Sequence, residues 1–158
     1  MANVFNAAEV IDMGIEKERK RRDFYGYAAD NFKEKDLKDL FSRLKDWEDE
    51  HINKFSEIRA TLEESEISET YKGELSSYVK TTVDDLLYKQ VAKEWFSNNV
   101  KTPIVAIQYG IGFEKDAILF FNELLKFMNP YHSDKIRKLI EEEKKHLIFL
   151  TDLKQKYS

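Results

Sequence analysis

Two pairs of residues in this sequence could hold a metal ion, because each pair sets a carboxylate and an imidazole three positions apart. They are Glu48 with His51 and Glu143 with His146, and they use two of the three histidines in the chain. Residues three apart lie on the same face of an α-helix, and this mixed oxygen and nitrogen ligand set suits a divalent transition-metal ion. One Glu-x-x-His pair is weak evidence in a Glu-rich chain, so the second pair gives the prediction its strength.

Glu18 and Glu114 extend this candidate ligand set, because both interrupt otherwise apolar helical stripes. A charge in such a stripe is expected to be buried, and four buried carboxylates without partners would each cost several kcal/mol. Two divalent cations would balance their charge. A Glu from each of two helices with a Glu-x-x-His pair from each of two others is a dimetal ligand set of helical bundles. The alternative interpretation is a solvated charge, and it fits four other glutamates: Glu16, Glu50, Glu141 and Glu142.

Four long amphipathic patterns predict the helices that carry these residues. Apolar residues recur at alternating spacings of three and four, which is the periodicity of a helix with one buried face. The predicted helices cover residues 5–30, 36–62, 103–128 and 133–156. Thr102 and Pro103 supply an N-cap and a first helical residue for the third of them. The short connections within each pair of helices predict two antiparallel helical hairpins.

Residues 63–101 connect the two hairpins and predict a long crossover. A structureless loop of that length is unusual in a compact domain, and a helical pattern that includes Val83, Leu86 and Leu87 predicts short helices within it. One long crossover between two hairpins is the connectivity of ferritin-like bundles. We therefore predict an all-α, ferritin-like four-helix bundle that forms a single domain over residues 1–158.

The second hairpin repeats the first, which places the candidate ligands in matched positions. The first helix aligns with the third at an offset of 96, and the second aligns with the fourth at an offset of 95. A duplicated hairpin packs with pseudo-twofold symmetry, so matched polar residues should converge near the axis. Gly14 and Gly110 are also matched, and because each costs roughly 1 kcal/mol relative to Ala, they predict a close approach of the first and third helices.

Length and composition limit the class of protein. The chain has 158 residues, 42% of them hydrophobic, with only five Gly and two Pro for the turns of an all-β fold. The absence of Cys excludes disulfides, thiol catalysis and metal sites built on thiolates. A net charge of −4 gives no electrostatic basis for binding nucleic acid or an anionic membrane. Neither a signal-peptide pattern nor a membrane-spanning stretch is evident, so we predict a cytoplasmic protein.

These residues resemble the ferritin-like diiron proteins of the rubrerythrin type. Four segments carry the resemblance, at 18–25, 47–52, 114–121 and 142–147, and they lie in all four predicted long helices. The resemblance implies six iron ligands: Glu18, Glu48, His51, Glu114, Glu143 and His146. It also implies that Glu48 and Glu143 can bridge two iron ions or chelate one.

The resemblance implies a redox enzyme that reduces hydrogen peroxide or dioxygen at two iron ions, with manganese or a mixed pair as the alternative metals. Rubrerythrins commonly carry a rubredoxin-like iron domain held by four Cys, and because this chain has none, we expect electrons from an external donor protein. We also expect a homodimer. The chain departs from rubrerythrins at Ala117, where they carry an extra Glu. Two other functions stay open: iron binding or ferroxidation without catalytic turnover, and a metal-stabilised interaction module.

Several residues near the candidate ligands need their own interpretation. Tyr25 lies one heptad after Glu18, and it is either a proton donor beside a ligand carboxylate or a core aromatic with a satisfied hydroxyl. We take Tyr25 as the candidate catalytic residue. In the run of eight charges at 16–23, only Glu18 is expected to be buried, while Arg22 is expected to extend outward. His132, between the third and fourth helices, is interpreted as a loop residue.

Overall fold

The computed structural model describes residues 5–68, 70–71, 88 and 91–158. Its helices are α1 (Ala7–Asn31), α2 (Lys35–Ala60), α3 (Glu64–Ser68), α4 (Lys93–Asn99), α5 (Pro103–Leu124) and α6 (Pro130–Tyr157), with a short 3-10 helix at Leu125–Phe127. Two short strands, β1 (Phe5–Asn6) and β2 (Thr70–Tyr71), pair antiparallel. The predicted all-α class is confirmed. None of the helices in the described part of the chain has the apolar length that a bilayer crossing requires.

Capping residues set where the helices of the second hairpin begin. Thr102 caps α5, and Pro103 is its first residue, as the sequence predicted. The side chain of Asn129 accepts a hydrogen bond from the backbone N–H of His132, so that α6 begins at Pro130, three residues before the predicted start. A proline at the first helical position is favourable because its fixed φ suits the helix and the position needs no N–H donor.

The long helices form two antiparallel hairpins, α1 with α2 and α5 with α6. Arg59 near the end of α2 pairs with Asp12 near the start of α1, with 3.1 Å between Nε and Oδ1. Helix α6 runs antiparallel to α2, because Lys156 near its end pairs with Asp36 near the start of α2.

The connection between the hairpins lies where the sequence predicted a crossover. Helices α3 and α4 fall within residues 63–101 and agree with the prediction of short helices there. The predicted helical pattern at Val83, Leu86 and Leu87 lies outside the described residues.

Two clusters of buried apolar side chains fill the bundle, and the candidate ligands lie between them. On α1, Ile15 belongs to one cluster and Phe24 to the other, with Glu18 between them. In each of the other three long helices, too, the candidate ligands lie between residues of one cluster and residues of the other. The bundle therefore carries a polar layer across its middle, enclosed on both sides by hydrophobic side chains.

The two matched glycines lie at tight contacts between helices. A Cβ at Gly14 on α1 would lie 3.1 Å from Cε1 of Phe120 on α5. A Cβ at Gly110 on α5 would lie 3.2 Å from Leu150 and 3.3 Å from Tyr25. Both contacts agree with the predicted close approach of α1 and α5.

Candidate metal centre

The middle of each long helix contributes to the polar layer. Helix α1 provides Glu18, α5 provides Glu114, and α2 and α6 each provide one Glu-x-x-His pair. All four carboxylates are fully buried, and His51 and His146 are only 1% and 4% exposed. The structure thus brings all six residues singled out from the sequence into one buried cluster.

The six side chains form two overlapping groups of four. One group consists of Glu18, Glu48, His51 and Glu143, and the other of Glu48, Glu114, Glu143 and His146. Within each group, one oxygen or nitrogen atom from every residue lies within 4.8 Å of the others. Because Glu48 and Glu143 belong to both groups, each of them could serve two ions at once.

Both imidazoles direct Nδ1 at the two shared carboxylates. Nδ1 of His51 lies 2.7 Å from Oε1 of Glu143 and 3.6 Å from Oε2 of Glu48. Nδ1 of His146 lies 3.2 Å from Oε2 of Glu143 and 3.4 Å from Oε1 of Glu48. The two rings stack with their centroids 5.5 Å apart. An ion in either group would therefore meet one imidazole nitrogen together with carboxylate oxygens.

Burial has a large effect on the pKa values of the side chains in this cluster. Burial, opposed by the charge of Arg21, raises the pKa of Glu18 well above its ordinary value. Burial and then the charge of Glu143 raise the pKa of Glu114 in the same direction. Burial alone would lower the pKa of His146, but its hydrogen bonds to buried carboxylates raise it to about 12. Without a metal ion the cluster therefore holds protons that a cation would displace.

Several carboxylate oxygens in the cluster have no hydrogen-bond donor. Both oxygens of Glu18, both oxygens of Glu48 and Oε2 of Glu114 are buried without a hydrogen bond, although Arg21 forms an ion pair with Oε1 of Glu18. An ionised carboxylate left in this state costs several kcal/mol, and such groups are normally paired or bound to a metal. Carboxylate and imidazole ligands carrying four negative charges suit a pair of divalent transition-metal ions. The residues present thus fit a dimetal site.

Arg21 is a buried cation beside the cluster that the sequence interpretation missed. The prediction that only Glu18 is buried within 16–23 is wrong, because Lys17 and Arg21 are buried as well. Nη2 of Arg21 lies 2.7 Å from Oε1 of Glu18, and Nη1 donates to the hydroxyl of Tyr88 at 3.1 Å. A signal was present in the sequence, since Arg21 follows Glu18 by three residues and so shares its helix face.

Glu142 contacts a candidate ligand and is not the simple surface charge that was predicted. Nε2 of His51 lies 2.6 Å from Oε2 of Glu142, while Lys54 lies 3.4 Å from the other carboxylate oxygen. A carboxylate that accepts from the outer nitrogen of a ligand imidazole fixes its tautomer and orientation. Here it leaves Nδ1 of His51 directed at the shared carboxylates, where a metal ion would bind. The residue matched to Glu142 in the first half is Trp47.

Trp47 covers the other imidazole. Its ring stacks on that of His146, with centroids 4.9 Å apart and planes 10° apart, and Phe149 stacks on Trp47 in turn. A surface cavity of about 280 Å³ opens beside them, lined by Trp47, Glu50, Glu142, Lys145, His146 and Phe149. Of the six candidate ligands, His146 is the most exposed, at 4%. Solvent therefore comes close to one edge of the cluster at this face of the bundle.

Tyr25 lies against the cluster from the α1 side. Its ring is fully buried, and its hydroxyl donates to Oε1 of Glu114 at 2.6 Å, with the carbonyl oxygen of Gly110 at 3.4 Å. Burial and then the charge of Glu114 raise the pKa of Tyr25 well above its ordinary value, so the phenol is neutral at physiological pH. Tyr25 is therefore a core aromatic whose hydroxyl touches a candidate ligand, and its catalytic role stays a prediction.

Two further residues had been interpreted from the sequence. Arg22 is partly exposed and pairs with Asp49 at 3.2 Å, in agreement with the predicted outward orientation. His132 is not a loop residue, because it lies buried in the first turn of α6. Its Nδ1 lies 3.1 Å from Oε1 of Glu66, and its Nε2 lies 3.2 Å from Oγ1 of Thr61. These contacts connect α6 to the segment that follows α2, away from the candidate ligands.

Comparisons with known proteins agree with the fold. A family model described as Rubrerythrin matches residues 9–154. A solved structure of a candidate ferritin-like diiron-carboxylate protein from Thermotoga maritima superposes with a TM-score of 0.76 at 20% sequence identity, over 100% of both chains. At that identity the likeness shows a shared fold. A search of curated protein sequences found no match.

Proposed function

This chain belongs to the rubrerythrin family, and on that premise we propose that it is a diiron carboxylate redox protein. It reduces hydrogen peroxide or dioxygen with electrons from an external donor protein. The observation that supports this proposal is the pair of four-residue groups that share Glu48 and Glu143 inside the bundle. Bundles with this ligand set bind two iron or two manganese ions. We propose iron, and metal analysis would identify manganese or a mixed pair.

Six side chains would hold the two ions: Glu18, Glu48, His51, Glu114, Glu143 and His146. Two ferrous ions bound there would supply the two electrons that convert one hydrogen peroxide to two molecules of water. Glu48 and Glu143 belong to both groups, so each of these carboxylates could help to hold both ions. The apolar clusters on both sides of the layer would keep bulk water away from the reaction.

The reduction of peroxide to water consumes protons, and the phenol oxygen of Tyr25 carries one. Its hydroxyl hydrogen lies between the phenol oxygen and Oε1 of Glu114, which are 2.6 Å apart. The raised pKa of Tyr25 keeps that proton in place at neutral pH. We assign Tyr25 as the proton donor to the oxidant, with Glu114 orienting the hydroxyl.

The cavity beside His146 offers a route for the oxidant and for electrons. It has a volume of about 280 Å³ and is lined in part by His146 and by the stacked rings of Trp47 and Phe149. Hydrogen peroxide and dioxygen are small enough to enter such a space. An electron donor that docks on this face would approach the cluster through Trp47 and His146, whose rings are in contact.

The proposal extends to partners and location. The chain contains no Cys and so no thiolate-held iron centre of its own, which supports a separate donor protein. We also propose that it acts as a homodimer in the cytoplasm. Light scattering on the purified protein measures its oligomeric state, and fractionation of its native host measures its location.

Stopped-flow oxidation of the anaerobic, iron-loaded protein tests the proposed function. Rapid oxidation by about one hydrogen peroxide per dimetal site is expected from the two-electron count. The iron should stay bound, and the protein should react again after a chemical reductant is added. An iron-storage protein would instead take up far more than two iron atoms per chain. Such uptake, or no reaction with either peroxide or dioxygen, would contradict the proposal.

A further inference from the structure

The two metal positions differ in the residues that touch them. We call the group with Glu18 and His51 the arginine-side group, and the group with Glu114 and His146 the tyrosine-side group. Resting on the proposed function, we infer that the tyrosine-side group binds its ion first and more tightly. The reason is that the buried guanidinium of Arg21 opposes a cation in the arginine-side group.

The two halves of the chain are matched in their candidate ligands and differ beside them. Arg21 matches Ala117 at the offset of 96 that relates α1 to α5, and Tyr25 matches Phe121 at the same offset. The internal repeat therefore does not extend to the residues that surround the ligands. One half supplies a cation and a phenol, where the other half supplies a methyl group and a benzyl ring.

Arg21 is fixed in place against the arginine-side group. Its Nη2 lies 2.7 Å from Oε1 of Glu18, and its Nε lies 3.9 Å from Oε2 of Glu48. Its Nη1 donates to the hydroxyl of Tyr88 at 3.1 Å, and that hydroxyl donates to Oδ2 of Asp116 at 2.6 Å. Arg21 is fully buried, so its charge faces the cluster without solvent between them.

An ion in the arginine-side group would share Glu18 with this guanidinium. Like charges repel strongly at short range inside a protein, where solvent and salt screen little. Binding on this side therefore carries an electrostatic cost that comes from Arg21.

An ion in the tyrosine-side group meets a neutral neighbour. The hydroxyl of Tyr25 donates to Oε1 of Glu114, and Oε2 of Glu114 is buried without a hydrogen bond. That second oxygen is available to a metal ion without the loss of a protein contact. No cation corresponding to Arg21 stands at this position, because the matched residue is Ala117.

One charge acts in the opposite direction. Glu142 contacts His51 and adds a negative charge to the arginine-side group. Its side chain is 38% exposed and pairs with Lys54 at 3.4 Å. Solvent and Lys54 screen that charge, whereas Arg21 is fully buried. The effect of Arg21 is therefore expected to prevail.

Titration of the metal-free protein with Mn²⁺, followed by calorimetry and by electron paramagnetic resonance, tests this inference. We expect two binding steps whose dissociation constants differ by about tenfold or more, with a signal from isolated Mn²⁺ before that of the coupled pair. Arg21→Gln should bring the two constants together, and Arg21→Lys should keep them apart. Arg22→Gln is the matched control, because Arg22 pairs outward with Asp49, and it should leave the ratio unchanged.

Two ligand variants identify which group binds its ion in which step, and they test the inference even if Arg21→Gln does not fold. His146→Ala should remove the tight step, and His51→Ala should remove the weak one. Equal constants in the wild-type protein, an unchanged ratio in folded Arg21→Gln, or a tight step that survives His146→Ala would overturn the inference. Two equal sites would leave the proposed function intact, whereas no binding of Mn²⁺ or Fe²⁺ would contradict the proposed function itself.

Discussion

Nε2 of His51 on α2 lies 2.6 Å from Oε2 of Glu142 on α6, so that the second hairpin orients an imidazole of the first. The ring presents its second nitrogen, Nδ1, to the shared carboxylates Glu48 and Glu143. A partly exposed glutamate thereby becomes part of the candidate metal centre.

Glu142→Ala should weaken metal binding even though Glu142 belongs to neither group of candidate ligands. Removing a carboxylate that orients a ligand imidazole typically lowers metal affinity about 10- to 100-fold. Competition with a chelator of known affinity measures the change. Glu141→Ala is the matched control, because Glu141 is exposed and pairs with Lys144. Equal affinities in the two variants would exclude an orienting role for Glu142.

Tyr25→Phe should keep both metal ions and slow the reaction with peroxide. The substitution removes the hydroxyl that donates to Glu114 and leaves the ring in its apolar surroundings. Loss of a positioned proton donor typically slows a reaction by about 100-fold or more. Tyr27→Phe is the control on the same helix, since Tyr27 is partly exposed and packs against Phe96. Rapid-mixing rates equal to wild type in Tyr25→Phe would remove Tyr25 from the mechanism.

Removal of the metal should destabilise the fold at neutral pH, and the loss should shrink as the pH falls from about 8 to about 5. Burial raises the pKa values of Glu18 and Glu114 in the metal-free protein. The cost of keeping them charged therefore diminishes as they take up protons at lower pH. His146, with a pKa raised to about 12, also contributes more stability at low pH than at high pH. Protons compete with metal ions for the same groups, which weakens the loaded form over the same range.

The protonation of Glu48 limits how far the pH can be lowered in this comparison. Burial and the charge of Glu143 would raise its pKa, but the neighbouring polar groups of Glu18, His146 and His51 lower it to about 2. A carboxylate with a lowered pKa contributes stability that is lost only below the ordinary carboxyl range. Thermal unfolding of loaded and chelator-treated protein at several pH values measures the difference. A constant gap between the two melting temperatures from about pH 8 to about pH 5 would contradict this prediction.

Two glycines on α5 should respond differently to alanine. A Cβ at Gly112 would meet nothing within 4 Å, so Gly112→Ala should stabilise the protein by about 1 kcal/mol through helix propensity. A Cβ at Gly110 would lie 3.2 Å from Leu150 and 3.3 Å from Tyr25. Gly110→Ala should therefore stabilise the protein less than Gly112→Ala does, or destabilise it. Chemical denaturation of the two variants compares them, and a larger gain in Gly110→Ala would be the contrary result.

The sequence predicted the parts of the fold that depend on periodicity within one helix. The spacing of apolar residues located the four long helices, and the breaks in those stripes at Glu18 and Glu114 located buried carboxylates. The two Glu-x-x-His pairs followed from their spacing alone. The internal repeat indicated which residues would meet, because a duplicated hairpin packs with its matched faces together.

The missed features depend on contacts between distant segments. Arg21 lies in a run of eight charges that is typical of a solvated face, and its buried guanidinium donates a hydrogen bond to Tyr88 from the crossover. His132 follows an Asn-Pro pair that signals the end of one helix and also caps the next, and its partner Glu66 belongs to α3. Glu142 is partly exposed, and only the packing of α6 against α2 brings it to His51.

Metal analysis of the anaerobically purified protein tests the dimetal centre most directly. We expect about two metal ions per chain, with clear loss in Glu143→Ala, which removes a residue of both groups, and in His146→Ala. Glu141→Ala should keep the wild-type content, because Glu141 is exposed on the outer face of the same helix. Full metal occupancy in both Glu143→Ala and His146→Ala would contradict the assignment of these residues as ligands.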